Sequence, residues 1–219
     1  MAPEILGTEV TIALIIDDEQ DARDSYAETL KDAGLTPLPL TDLKGTPADY
    51  LTFAKENATA VLCDQFLSHH NYAHFEGAQL VKLLYNACLP AVLCTYYDEL
   101  VDDIRPYRRW VPSLQRPFEL DSGAFVAGLE ECLREFRDCF RPHRQPWRTQ
   151  IKIIDDRPDE KRFFVEIPAW ASTIVPLKYD GVPAYVTDHL SEGWRCRAYV
   201  NLGAEHLVDL YVCDWEVPS

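Results

Sequence analysis

Three carboxylates at the ends of apolar runs are the residues of this chain best suited to do chemistry. Asp17 and Asp18 close the run Ile12-Ala13-Leu14-Ile15-Ile16, and Asp64 closes a second run from Ala58 to Cys63. Neighbouring carboxylates repel one another unless a cation compensates them, and a hard divalent cation such as Mg²⁺ takes oxygen ligands. Taken alone, Asp17 and Asp18 have two readings: ligands of such a cation, or negative charge that starts the following helix, where the dipole favours it. A third apolar run, Pro90 to Cys94, ends in Thr95, and a weaker one, Trp110 to Leu114, leads into Arg116-Pro117-Phe118. A hydroxyl and a guanidinium thus join the acids at successive run ends.

Apolar runs without alternation, rich in β-branched residues, describe strands covered on both faces, as in a parallel sheet. In open α/β sheets ligands bind beyond the carboxyl ends of the strands, where these polar residues fall. The segments between the runs read as helices. Asp18 to Ala33 carries Ala22, Tyr26, Leu30 and Ala33 at helical spacing and stops at Gly34. Pro47 to Asn57, Gly77 to Cys88 and Asp98 to Arg108 each show an apolar helical face, the last through Leu100, Val101 and Ile104. From Phe125 to Phe140, Leu129, Cys132, Leu133, Phe136 and Cys139 give the strongest 3.6-residue period in the chain. Leu35 to Leu40, interrupted by Pro37 and Pro39, fits a strand near a sheet edge, and Gln65 to Glu76 reads as a loop. Five strand and helix alternations predict a doubly wound five-stranded parallel sheet with helices on both faces.

Arg141 to Trp147, with Pro142 and Pro146, reads as a linker, so the expected division is 1–141, a linker 142–147 and 148–219. The last part holds short aromatic and β-branched segments: Gln150 to Ile154, Arg162 to Ile167, Thr173 to Leu177, Ala184 to Val186, Trp194 to Leu202 and Leu207 to Trp215. Separated by Gly, Pro and Asp turns, they predict a small, mainly antiparallel β domain, a sheet or a barrel.

The chain has 219 residues and a net charge of -15, from 36 acidic against 21 basic residues. Nucleic acid and anionic membranes need a basic surface, so neither is an expected partner. Seven cysteines without a CxxC pair suggest neither a zinc cluster nor a full disulfide set; they read as buried thiols in a reducing cytoplasm. No signal sequence and no run of membrane-spanning length is visible, which points to a soluble, cytoplasmic protein.

With Asp17-Asp18, Asp64, Thr95 and Arg116-Pro117-Phe118 after successive strands, residues 1–141 resemble a response-regulator receiver domain of two-component signalling. The resemblance implies a flavodoxin-like sheet and a phosphorelay in which a histidine kinase or phosphotransfer protein phosphorylates Asp64. It implies Asp17, Asp18, Asp64 and the Phe66 backbone carbonyl as Mg²⁺ ligands, Thr95 as the hydrogen-bond donor to the phosphoryl group, and no enzymatic activity beyond self-catalysed phosphoryl transfer. The C-terminal domain resembles no recognised family and is expected to bind a protein target.

Three departures from the family pattern bear on function. Arg116 stands where the family has Lys, and a guanidinium is longer and differently shaped than an ammonium. Ser113 stands where the family has an aromatic switch residue, with Trp110 nearby. Gly77 follows Asp64 five residues later than the family's Gly does, so the active-site loop is lengthened. These departures favour a second reading, a phosphorylation-independent interaction adaptor. A third, a phosphatase-like hydrolase, lacks the second acid two residues after Asp64, where Phe66 stands.

Other features read as structure. His69, His70 and His74 in the long loop have no Cys or acid at ligand spacing and are taken as surface histidines. Ile153-Ile154-Asp155-Asp156 repeats the opening word but runs into Arg157-Pro158, a hairpin turn. Phe163, Phe164, Trp170, Trp194, Tyr199, Tyr211 and Trp215 are expected in the C-terminal core. The Phe and Cys stripe of the last helix is likewise core, with an outer edge that could pair two copies as a homodimer.

Overall fold

A computed structural model describes residues 3–68, 72–96 and 104–217, with Ser172 described by its backbone alone. The residues group into two compact units, 1–97 with 110–139 and 98–109 with 140–219. The segment between the fourth and fifth parallel strands therefore belongs with the second unit, and the chain passes between the units at three places rather than at one linker.

The first unit opens with a short hairpin, β1 (Glu4–Ile5) and β2 (Thr8–Glu9). It continues β3 (Ile12–Ile16), α1 (Gln20–Asp32), β4 (Thr36–Pro39), α2 (Pro47–Asn57), β5 (Ala60–Asp64), α3 (Gly77–Asn86), β6 (Ala91–Cys94), β7 (Ser113–Gln115) and α4 (Ser122–Glu135). The sheet is parallel throughout, in the order β4-β3-β5-β6-β7. Counted from the first parallel strand this is 2-1-3-4-5, the flavodoxin-like order of a doubly wound fold. β5 and β6 are buried along their whole length, as strands covered on both faces must be. β4 lies at the sheet edge, where its two prolines remove no ladder bond from a neighbour on the open side.

Local sequence sets the helix limits. Pro47 occupies the first turn of α2 behind a Thr46/Asp49 capping box, and α1 ends before Gly34 at φ +78. Asp121 caps α4 by accepting from the Ala124 amide at 2.7 Å, so that helix starts earlier than its apolar period and ends at Glu135. Tyr26, Leu30, Leu62, Val92, Phe125 and Leu129 form the core between α1, α4 and the sheet.

The fifth strand differs from expectation. It covers Ser113–Gln115, while Arg105–Trp110 forms a 3-10 helix. The expected helix Asp98 to Arg108 lies largely outside the described residues, as do Leu100 and Val101; Ile104 is buried.

The second unit is a five-stranded antiparallel sheet, β8 (Trp147–Arg157), β9 (Arg162–Ile167), β10 (Ala171–Lys178), β11 (Arg195–Val200) and β12 (Val212–Glu216), in the order β10-β9-β8-β11-β12. β8 begins within the expected linker, at Trp147. Ala184–Thr187 is one helical turn, α5, not a strand: Pro183 leads in at φ -62, and the backbone bonds close locally, from the Val186 amide to the Pro183 carbonyl and from the Asp188 amide to the Ala184 carbonyl, each at 2.9 Å. One sheet face carries Ile151, Ile153, Phe163, Val165, Val175, Cys196, Ala198 and Trp215 into a single core. Phe164 and Tyr199 leave the expected core set, because period-2 alternation places them on the opposite face from Phe163 and Ala198.

Arg144 is also buried in this unit, 1% exposed. Its guanidinium donates to the Arg108 and Arg109 carbonyls, each at 2.9 Å, and lies 5.0 Å from the centre of the Tyr211 ring. Arg108 pairs with Asp209 at 2.9 Å, and Arg105 donates to the Pro176 carbonyl at 2.7 Å. These bonds tie the 3-10 segment to the second unit. All seven cysteines are free; Cys88 and Cys139 are exposed, against the expectation that every thiol is buried.

Candidate functional site

Strand register brings the predicted residues of the first unit together. Ile16 pairs with Cys63 and Asp64 with Cys94, so Asp17 comes level with Asp64, and Thr95 stands one residue beyond it on the adjacent parallel strand. Asp17, Asp18, Asp64 and Thr95 are all buried. One oxygen of each main acid is used locally: Asp17 Oδ1 accepts from the Glu19 amide at 2.7 Å, and Asp64 Oδ2 accepts from the Phe66 amide at 2.7 Å. Thr95 Oγ1 is buried without a hydrogen-bond partner.

The electrostatics show how crowded the strand ends are. Burial, then repulsion from Asp17 and Asp18, raises the Asp64 carboxyl to about 8, while the Phe66 and Gln65 amides pull the other way. Burial likewise raises Asp17 to about 6, with repulsion from Asp18 opposed by the Glu19 amide and by Arg23. Carboxylates in this state are poorly solvated and lack a full counter-charge. A hard divalent cation supplies the missing charge and takes oxygen donors, so the donor set and the orphan hydroxyl fit one chemically. Among the described residues no group of three or more His, Cys, Asp and Glu side chains is arranged to hold a metal ion. The acids share a location without forming a closed cage. His69 and His70 lie outside the described residues, and His74 is exposed.

Arg23 was not singled out by its sequence position. It is 7% exposed on α1, donates through Nη1 to the Asp17 carbonyl at 2.5 Å and through Nη2 to Gln20 Oε1 at 2.8 Å, and stands 5.9 Å from the Tyr72 ring centre. With Asp18 and Tyr72 it lines a cleft of about 410 Å³ beside the acids. Only its place one turn into the helix after the acid pair, facing inward, could have marked it.

The lengthened loop returns to Asp64. The Gly77 amide donates to the Gln65 carbonyl at 2.9 Å and the Ala78 amide to Gln65 Oε1 at 3.0 Å. A Cβ on Gly77 would stand 1.9 Å from the Asp64 carbonyl oxygen, so only glycine lets α3 start there. Tyr72 anchors the middle of the loop, its hydroxyl donating to the Leu40 carbonyl at 2.8 Å, and its carbonyl accepts from Tyr50.

Arg116 and Ser113 are arranged differently from the acids. Arg116 is 43% exposed along its side chain and pairs with Glu119 at 3.8 Å, beside the exposed Phe118 ring. Ser113 is buried under α4, where a Cβ on Gly128 would come within 2.4 Å of its Oγ. That close approach leaves no room for a ring at position 113. Trp110 is engaged elsewhere, with Lys82 Nζ 4.0 Å above its ring centre.

No family model matches the chain, and no curated protein matches it. Among solved structures, the first unit is similar to response-regulator receiver domains. A response regulator receiver domain protein from Clostridium thermocellum aligns at 13% identity and TM-score 0.45, covering 58% of this chain and 98% of that one. The apo receiver domain of nitrogen regulatory protein C aligns at 18% identity and TM-score 0.43, covering 58% and 97%. The signal receiver domain of a modulated diguanylate cyclase from Desulfovibrio desulfuricans G20 aligns at 14% identity and TM-score 0.45, covering 59% and 98%. The flavodoxin-like assignment stands on the strand order and register themselves.

Proposed function

We propose that the chain is a response-regulator-like signalling protein whose first unit accepts a phosphoryl group on Asp64 and whose C-terminal β unit binds a protein target. The observation that carries this reading is the burial of Asp17 and Asp64 at adjacent strand ends with carboxyls raised to about 6 and about 8. Keeping such acids together costs stability unless they meet a cation and a charged ligand.

In this reading Asp17, Asp18, Asp64 and the Phe66 carbonyl would hold Mg²⁺, which supplies positive charge for the acids and the incoming phosphoryl oxygens. An Asp64 carboxylate oxygen forms the bond to phosphorus while the donor's P–N bond breaks, and the departing histidine nitrogen takes a proton from solvent. The Thr95 hydroxyl, unpartnered in this structure, donates to a phosphoryl oxygen. Arg23 holds the Asp17 backbone from behind and offsets part of its charge. The donor is a histidine kinase or phosphotransfer protein.

A phosphorylation-independent adaptor is the second reading, favoured by Arg116 on Glu119 and by Ser113 closed under Gly128. Incubating the full chain with Mg²⁺ and acetyl phosphate, followed by intact-mass measurement, decides between the two. The signalling reading expects one added phosphoryl group on the wild type and none on Asp64→Asn. An unmodified wild type that also ignores beryllofluoride would leave the adaptor.

A further inference from the structure

The C-terminal sheet has a face that its own core does not use. Alternation sends Cys196, Ala198 and Val200 inward from β11 and Arg195, Arg197 and Tyr199 outward. The same rule sends Arg148, Gln150 and Lys152 outward from β8, opposite the buried Ile151 and Ile153. With the single exception of Lys161 in the β8–β9 turn, every Lys and Arg from Gln145 onward lies on this outward side.

Register makes that concentration costly. Arg195 sits directly opposite Lys152, and Arg162 directly opposite both Lys178 and Arg157. Like charges directly opposite across an antiparallel pair destabilise it. Lys152 has Glu166 at 3.6 Å and Arg148 has Glu216 at 2.6 Å, but Arg195 has no ion-pair partner among the described residues. Arg148, Arg195 and Arg197, with Gln150 and Glu216, line a cleft of about 480 Å³ on this face. A chain of net charge -15 thus keeps exposed arginines together against their mutual repulsion.

We infer that this outward face, centred on Arg195, Arg197, Arg148 and Lys152, is the docking surface for an acidic segment of a partner protein. An anionic partner supplies the counter-charge that the sheet itself withholds from Arg195. A polypeptide fits better than nucleic acid because Glu166, Glu216 and Asp214 stand among the cations and would repel a continuous phosphate backbone. The apolar Phe164, Pro176 and Ile174, the last 51% exposed, share the face and suit side chains interleaved with the partner's acids. The inference rests on the reading that the C-terminal unit binds a partner, but not on phosphorylation of Asp64.

The test uses the full-length chain and a displayed pool of peptides about a dozen residues long, Asp or Glu alternating with Leu, Phe or Tyr. Single-stranded DNA of matched charge and vesicles of phosphatidylserine serve as rival probes. The expected result is salt-sensitive retention of acidic peptides that falls at least about tenfold in Arg195→Glu and further in Arg195→Glu/Arg197→Gln. The melting temperature of Arg195→Glu should stay level or rise, because the new acid faces Lys152. Asp64→Asn should bind the peptides as the wild type does, so a failed phosphoacceptor and a failed docking face give different results. No retained peptide, retention that survives Arg195→Glu, tighter binding of the DNA or vesicles, or a loss of binding that tracks a lowered melting temperature would each overturn the inference.

Discussion

Both units contain a five-stranded sheet, yet they put their charges in opposite places. In the parallel sheet, helices cover both faces, so polar residues are confined to strand ends, and Asp17, Asp18, Asp64 and Thr95 crowd there under burial. In the antiparallel sheet the cations lie on the side turned away from the core, in rows fixed by register. The first arrangement concentrates charge where it must be compensated by something small. The second displays charge over an area that suits something extended. Under the proposed function the parallel sheet would recruit a small counter-charge and the antiparallel sheet an extended one.

Substitutions can break each half of this contrast. Replacing Arg144 with Ala removes a fully buried guanidinium that serves two carbonyls of the 3-10 segment, and should cost the second unit about 4 kcal/mol. Urea unfolding should report the loss, and hydrogen exchange at 105–110 should rise before that of β9; an unchanged exchange rate would remove the tie. In the first unit, Gly77→Ala forces a methyl toward the Asp64 carbonyl and should cost about 3 kcal/mol while displacing the acid. Phosphorylation by acetyl phosphate should fall with it. Gly128→Ala, which meets Ser113 Oγ at 2.4 Å and Val92 Cγ2 at 2.8 Å, should cost about 2 kcal/mol and be relieved in part by Ser113→Ala, as thermal melts of the single and double variants would show.

The acids also predict a pH dependence. Asp64 has a folded carboxyl raised to about 8 against an ordinary value near 4, so the folded state holds its proton more tightly than the unfolded state. Its contribution is fully present below about pH 4 and is lost as pH rises toward 8. Metal-free wild type should therefore lose stability across that window relative to Asp64→Asn, and parallel pH curves for the two proteins would contradict the burial-driven shift. The smallest expected effect belongs to Arg116→Ala. Its half-exposed pairing with Glu119 should change stability by no more than about 0.5 kcal/mol, and calorimetry would show whether the guanidinium carries more than that.

The same contrast explains what the sequence made legible. Ile12 to Asp18 and Ala58 to Asp64 announce buried parallel strands because continuous apolar runs have few other uses, and their terminal acids announce the site with them. Arg23 was hidden because an arginine at helical spacing looks like a solvated surface residue until its burial is known. Ser113 was legible as a departure, but its cause was not, since the missing ring is explained by Gly128 on another element. In the second unit the strands could be read from composition, but the cation rows could not. Whether Arg195 faces Lys152 depends on pairing between β11 and β8, which are separated by two intervening strands in sequence. Ala184 to Val186 misled because three apolar or aromatic residues cannot distinguish a strand from one helical turn.

The path of the chain between the units has a practical corollary. Residues 98–109 are inserted between two strands of the first sheet but group with the second unit, so no single cut yields both units whole. A fragment ending near residue 141 would keep the 3-10 segment and lose Arg144, and a fragment starting there would keep Arg144 and lose the carbonyls it binds. Gene fusions, truncation series and domain swaps would fail at that seam, unless the segment between β6 and β7 is transplanted together with the tail.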